Sequence, residues 1–309
     1  MKEMKKFILL SMAVAVMLTS CNKDDKITNP QEEVLFTSNI VNVTLARQAG
    51  NIWKDNAAIG IYMLKELSLD VVESISNVKY TTAEGGATGT FAADTKVIFF
   101  PDNNDKVRFM SYYPYDKDLE NGTYKINVAK QTDLDSIDLR YSFNTASTYS
   151  KTVSSKTVPL TFDHQLSQIV VNVKAGEGLT NTQLSNLLVS LSGFSRKADF
   201  NLFSGAISNL SDEGTISLSA TTTEEGFAAS YKAIVIPTAD ISNAKMVFDL
   251  NNGDADEGVN SDRFTWSFNQ ALVKGTKYVY NVTINRSGIT IEATINDWGN
   301  GGNHNIIAE

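Results

Sequence analysis

Imidazole and thiol chemistry in this 309-residue chain rests on three residues, His164, His304 and Cys21. A hydrolytic triad would have to recruit one of the two histidines, yet no Gly-x-Ser-x-Gly elbow presents a serine beside them. Neither histidine has a Cys, Asp or Glu partner at metal-ligand spacing, and one cysteine can form neither an internal disulfide nor a zinc site. No glycine-rich phosphate cradle is present. The acidic loop "NNGDADEG" (Asn251 to Gly258) lacks the glycine at the sixth position and the glutamate at the twelfth that a calcium loop needs, so it reads as a solvated turn. Carboxylate pairs for glycoside hydrolysis depend on separations in space, which a sequence leaves open. The expectation is a protein without catalysis, metal or cofactor.

Cys21 lies in "LTSCNKDDK" (Leu18 to Lys26), directly behind a cationic start (Lys2, Lys5, Lys6) and an apolar run from Phe7 to Leu18. That arrangement is a signal peptide over residues 1–20, too short to span a membrane, which takes about 20 apolar residues. Thr19 and Ser20 before the cysteine resemble the lipobox of bacterial lipoproteins, in which the thiol receives a diacylglycerol and becomes the new N-terminus. Residues 21–33 are then a lipid-proximal linker, and "NKDDK" is similar to the acidic signal that sends some lipoproteins to the outer face of the outer membrane. Removing the three lysines and one glutamate of the signal from 27 basic and 35 acidic residues leaves 24 and 34, a net charge of −10. A surface so acidic argues against nucleic acid, whose phosphates need clustered Lys and Arg.

The elements that position these residues read as strands. Apolar residues alternate in "AIGIYM" (Ala58 to Met63), "KVRFMSYYPY" (Lys106 to Tyr115) and "TYKINVA" (Thr123 to Ala129), and again in "VPLTF", "QIVVNVKA", "YKAIVIP", "KMVFDL", "RFTWSF" and "KYVYNVTI" between Val158 and Ile284. Period two predicts half-buried strands, punctuated by turns such as "PDNND" (Pro101 to Asp105), "ENG" (Glu120 to Gly122) and "KG" (Lys274, Gly275). Strands at this spacing predict antiparallel β-sandwiches. One short helix is predicted in "TNTQLSNLL" (Thr180 to Leu188), with Thr180 as its cap and Leu184, Leu187 and Leu188 on one face. The Ser/Thr-rich stretch Asn144 to Thr157 has no alternating apolar face and reads as a linker. It divides the chain into a sandwich over 34–157 and a second over 158–309, a division that suits a length at which single cores stop growing. Trp266 and Trp298 are expected to close cores, and His164 to be a hydrogen-bonded strand or turn residue.

Three segments carry a resemblance. "VLFTSNIVNVTLARQAGNIWKDNAAIGIYM" (Val34 to Met63) runs from a strand to an arginine, a tryptophan and a second strand. "LTFDHQLSQIVVNV" (Leu160 to Val173) and "ITIEATINDWGNGG" (Ile289 to Gly302) follow in order. Together they resemble the fimbrillin family, the subunits and accessory proteins of type V pili. The resemblance implies an all-β fold of two tandem transthyretin-like antiparallel sandwiches, the second opened by the strand pair in Leu160 to Val173. It also implies export as a lipoprotein anchored at Cys21 and cleavage by a trypsin-like protease between Arg47 and Gln48. The cut removes a first strand whose packing residues are Phe36, Ile40, Val41, Val43 and Leu45, and a strand from a neighbouring subunit fills the groove left behind. Ile306 and Ile307 are the only residues of the tail able to serve as a donor. Because Gly and Asn dominate the rest of it, a tip or accessory role stands beside a stalk role. An anchor subunit, which would keep its lipid and leave Arg47 uncut, is the third choice. "DSI" (Asp135 to Ile137) is similar to a short bacterial O-glycosylation motif.

Partners expected on this reading are other fimbrial subunits, the maturation protease, the outer membrane and a receptor, and the destination is the cell surface. The competing reading is a surface lipoprotein that never polymerises and binds glycans on exposed aromatics, with Tyr112, Tyr113 and Tyr115 as candidates. A secreted hydrolase ranks third.

Overall fold

Alternation is obeyed in the first strand of the computed structural model, which describes residues 31–40, 52–152, 155–184, 186–250, 263–298 and 304–306. In β1 (Leu35–Ile40), Phe36, Ser38 and Ile40 are buried while Leu35 and Asn39 face solvent. A meander of β2 (Ala58–Lys65), β3 (Val78–Thr82) and β4 (Thr88–Ala93) follows, and β5 (Val107–Tyr113) crosses back to pair with the other edge of β2. β6 (Thr123–Asn127) leaves this group to join a second sheet, and β7 (Arg140–Phe143) and β8 (Thr157–His164) return to it. The result is a closed barrel in the order β1-β4-β3-β2-β5-β7-β8.

The rest of the chain supplies two facing sheets. One contains β11 (Ala206–Ser217), β10 (Leu188–Asn201), β14 (Lys245–Asp249) and β15 (Arg263–Ser267), with β6 added along β10. The other runs β12 (Ser219–Thr221), β13 (Ala229–Val235), β9 (Ser167–Ala175), β16 (Thr276–Asn285), β17 (Gly288–Asp297) and β18 (His304–Ile306). Facing sheets fill the space between them with alternate side chains, here Val171, Leu191, Phe248 and Tyr280 among others. The fold is all-β, as the alternation predicts.

Four local expectations are corrected. β2 and β5 are buried on both faces: Ile61, Met63 and Phe109 enter the barrel core, whereas Tyr62, Leu64, Met110 and Tyr112 enter the larger core outside it. A strand between two cores reads as alternating only when one face is wet. Gly60 sits in this crowded position because a side chain there would run into the ring of Tyr112, its partner across the ladder. The second correction concerns β8, expected to open the second sandwich. It pairs in parallel with β1 and antiparallel with β7, and buries Val158, Leu160 and Phe162 in the barrel. Third, the Ser/Thr-rich stretch touches the barrel at Tyr149, which exchanges backbone hydrogen bonds of 2.8 and 2.9 Å with Val107 and lies against Phe109. Last, the predicted helix is a single 3-10 turn, Asn181–Leu184, entered through a Thr180 N–H bond to Gln183 Oε1 of 2.9 Å. Leu188 is 49 % exposed and already belongs to β10, so it leaves the apolar face formed by Leu184 and Leu187.

The turns fall where Gly and Asn place them. At "ENG", Asn121 and Gly122 both have positive φ (49° and 68°), and Thr123 N–H bonds Glu120 C=O at 2.8 Å, which reverses the chain into β6. The described residues from Glu32 onward fall in one compact unit.

Candidate functional site

Two arrangements meet in the barrel, a strand inserted in its wall and a buried ion cluster at its end. β1 is the inserted strand. It is antiparallel to β4, with Phe36 opposite Phe91, and parallel to β8, with Phe36 opposite Val158. Phe36 is 1 % exposed and meets Tyr80 and Phe109 edge to face, each at 5.1 Å between ring centres. Ile40 is buried as deeply, and Ser38 Oγ is buried with no hydrogen-bond partner among the described residues. Of the expected packing residues, Phe36 and Ile40 therefore sit in the barrel core. Val41, Val43 and Leu45 lie outside the described residues, as do Cys21, the Arg47–Gln48 bond and the acidic loop from Asn251.

The chain returns at Trp53, which is locked on both sides. Its backbone exchanges hydrogen bonds of 2.8 and 2.9 Å with Gly86, and its ring meets Phe91, Tyr113 and Phe162 edge to face at 5.1 to 5.3 Å. The guanidinium of Arg140 lies 5.4 Å over the Trp53 ring and 5.0 Å over that of Tyr113. A buried cation of this kind needs carboxylates. Arg140 Nε donates to Asp138 Oδ2 and Nη2 to Asp135 Oδ1, both at 2.8 Å. Tyr113 donates its hydroxyl to Asp135, and Lys54 Nζ reaches Asp133 at 2.9 Å.

His164 completes the cluster. Its Nδ1 is 2.8 Å from Asp138 Oδ1, and its ring stacks on Trp298 at 4.0 Å with the planes 6° apart. The backbone N–H of Trp298 donates to Gly275 C=O at 2.7 Å, so the predicted "KG" turn anchors the main chain that carries this indole. Burial alone would push the Asp138 carboxyl up, but His164 and Arg140 beside it hold it below the ordinary carboxylate range. Burial pushes the Tyr113 hydroxyl well above its usual value.

The three resembling segments thus converge. Trp53 comes from the first, Phe162 and His164 from the second, Trp298 from the third, and Arg140 and Asp138 join them. Those two joining residues were missed by the sequence reading, which took Asp135 to Ile137 for a modification motif and passed over the charged alternation of "DSIDLR" (Asp135 to Arg140). That alternation was the available signal, since Asp138 and Arg140 lie on one side of an extended segment and pair. Ser136 is exposed and its hydroxyl donates to Asp133 C=O at 2.7 Å.

Other expectations fare variously. Tyr112 and Tyr113 are buried, so they form no exposed aromatic face. Trp266 meets Phe268 and Tyr280 edge to face at 5.1 and 5.3 Å, on the core side of β15. Ile306 is in β18, where its backbone lies opposite Ala293, and Ile307 lies outside the described residues. Among the described residues no group of three His, Cys, Asp or Glu could hold a metal ion. The cluster's charges are spent on one another, which makes it a pin that fastens chain segments together.

The fimbrillin-like family model matches residues 44–298 of this chain. A protein of Bacteroides uniformis whose name, assigned by inference, is fimbrium subunit Fim1C is 29 % identical over 317 residues, covering 99 % of each chain. A crystal structure from Bacteroides uniformis, described by inference as a cell adhesion protein, superposes with a TM-score of 0.70 at 27 % identity, over 88 % of this chain and 99 % of that one. A second such structure, from Bacteroides ovatus, gives 0.67 at 20 % identity over 91 % and 100 %, a likeness of fold.

Proposed function

Because the chain belongs to the fimbrillin-like family, we propose that it is a structural and adhesive subunit of a bacterial fimbrium, carried to the cell surface as a lipoprotein on Cys21 and matured by cleavage between Arg47 and Gln48. It is a building and binding protein rather than an enzyme. The observation that carries the reading is the position of β1. A single six-residue strand closes the barrel between β4 and β8, and the chain is fastened again at Trp53 on the far side of the proposed cut. Removing β1 would leave two unpaired backbone edges and the pockets of Phe36 and Ile40 empty, while Trp53 would hold the new N-terminal end in place. A strand from another subunit restores both the hydrogen bonds and the burial, which is assembly by β-strand addition.

The tail supports a tip or accessory position. β18 lies against β17 of its own chain, with His304 opposite Ile295, so that the segment with the donor candidates Ile306 and Ile307 is engaged within its own subunit. A subunit of this kind accepts a strand and offers little in return.

Limited trypsin digestion of the folded chain, followed by N-terminal sequencing and incubation with a second fimbrial subunit, tests the reading. The expected product begins at Gln48, loses residues up to Arg47 and then takes up the partner's strand. Resistance at Arg47 while other sites are cut, or a cut product that takes up nothing, would remove the central step.

A further inference from the structure

Beside the ion cluster lies a cavity of about 310 Å³ between the outer face of the β12-β13-β9 sheet and the segments around Ile52 and Asp135. We propose that it is a binding site for one neutral hexopyranose residue of a surface glycan. The site is argued from its own geometry and does not depend on cleavage or strand exchange.

Its mouth is exposed and its floor buried. Ile52 is 51 % exposed, and the side chains of Lys54 and Asp133 are each 56 % exposed, whereas Gln168 and Trp298 are 5 % exposed. The volume lies at the lower end of the range for small-molecule pockets, roughly 300–1,000 Å³, which suits a single ring rather than an oligomer. Charge selects a neutral guest. The lining brings three cations, Lys54, Arg140 and Lys232, against three carboxylates, Asp133, Asp135 and Asp138.

Two groups then specify a sugar. His164 covers one face of Trp298, so the indole meets the cavity with its remaining surface. The face of an aromatic ring carries partial negative charge and an apolar area, which match the C–H face of a pyranose. Gln168 is the second group. It stands on β9, its side chain has no protein hydrogen-bond partner among the described residues, and it lines the cavity. Its carbonyl and amino groups accept and donate side by side, as a pair of neighbouring sugar hydroxyls requires.

The test is saturation-transfer NMR on the uncut, purified chain with the methyl glycosides of glucose, galactose, mannose and N-acetylglucosamine. At least one should receive saturation on its ring C–H protons, with a dissociation constant in the millimolar range. Gln168→Leu should weaken binding tenfold or more, and Ile52→Trp, which obstructs the mouth from an exposed position, should do the same without changing the melting temperature. The proposal is overturned if no glycoside receives saturation, if binding survives the Ile52→Trp substitution, or if an apolar peptide saturates the site and no glycoside does. Because the chain is uncut and monomeric in this assay, failure here leaves the assembly reading standing, and failure at Arg47 leaves this one.

Discussion

Ser38 is the one polar side chain that β1 turns into the barrel core, and its hydroxyl is buried without a partner among the described residues. Such a group costs about 1–3 kcal/mol of desolvation, so the strand that must leave carries its own weak point. Ser38→Ala removes that cost without adding volume. It is expected to raise the stability of the uncut chain by about 1 kcal/mol in urea unfolding and to retain β1 longer after cleavage. Asp138 is the opposite case, a buried carboxylate that His164 and Arg140 hold below the ordinary range. A depressed carboxyl contributes stability that is complete above its unfolded value of about 3.9 and is lost as pH falls through the folded value. The urea midpoint should therefore fall on acidification below about pH 4. Asp138→Ala should flatten that dependence and cost about 3 kcal/mol at neutral pH, because the buried guanidinium of Arg140 loses one of its carboxylates and keeps Asp135. His164 was legible as a hydrogen-bonded residue because its neighbours left it no metal or nucleophile to serve. For Arg140 the alternation with Asp138 was legible and the burial was not, since nothing in a sequence says that an arginine beside two aspartates lies under a tryptophan.

At the scale of the element, β1 was legible through the resemblance, and two of the packing residues it implies, Phe36 and Ile40, are buried, while the alternation of the strand over Phe36, Ser38 and Ile40 is visible only in the fold. β2 and β5 were legible as strands but not as walls shared by two cores, because alternation reports one wet face and these have none. β8 was misplaced for a related reason. Its alternation is regular, with Val158, Leu160 and Phe162 inward, but the partner that covers it is β1, far away in sequence. The pairing leads to a prediction about the strand. Phe36→Ala should destabilise the uncut chain by about 3–5 kcal/mol, yet have no effect on a cut chain from which β1 has been displaced. Equal losses in both forms, read from thermal unfolding before and after trypsin, would mean that β1 stays in place.

For the whole molecule, the sequence separates two sandwiches at residues 157 and 158, and we propose moving that division to follow His164, where β8 ends and β9 begins. The two parts remain joined through side chains: Tyr62, Leu64, Met110 and Tyr112 of the barrel strands lie in the larger core, and β6 is hydrogen-bonded to β10. If the tail is a poor donor, the cleaved chain alone should stay monomeric by light scattering and should form a one-to-one complex with a subunit that owns a longer tail. A ladder of self-assembled oligomers would reassign it to the stalk. The parallel pairing of β1 with β8 also sets an order in time. β1 is the first strand to leave the ribosome, but its partner Val158 follows only after every other strand of the barrel except the rest of β8 has been made. Contacts so distant along the chain close late, since the loop entropy must be met before any pairing rewards it. The pairing of β1 with β4 needs a far shorter loop, so the seam between β1 and β8 is the one that closes the barrel last, and a barrel open at that seam precedes its completion as an open barrel follows the strand's removal.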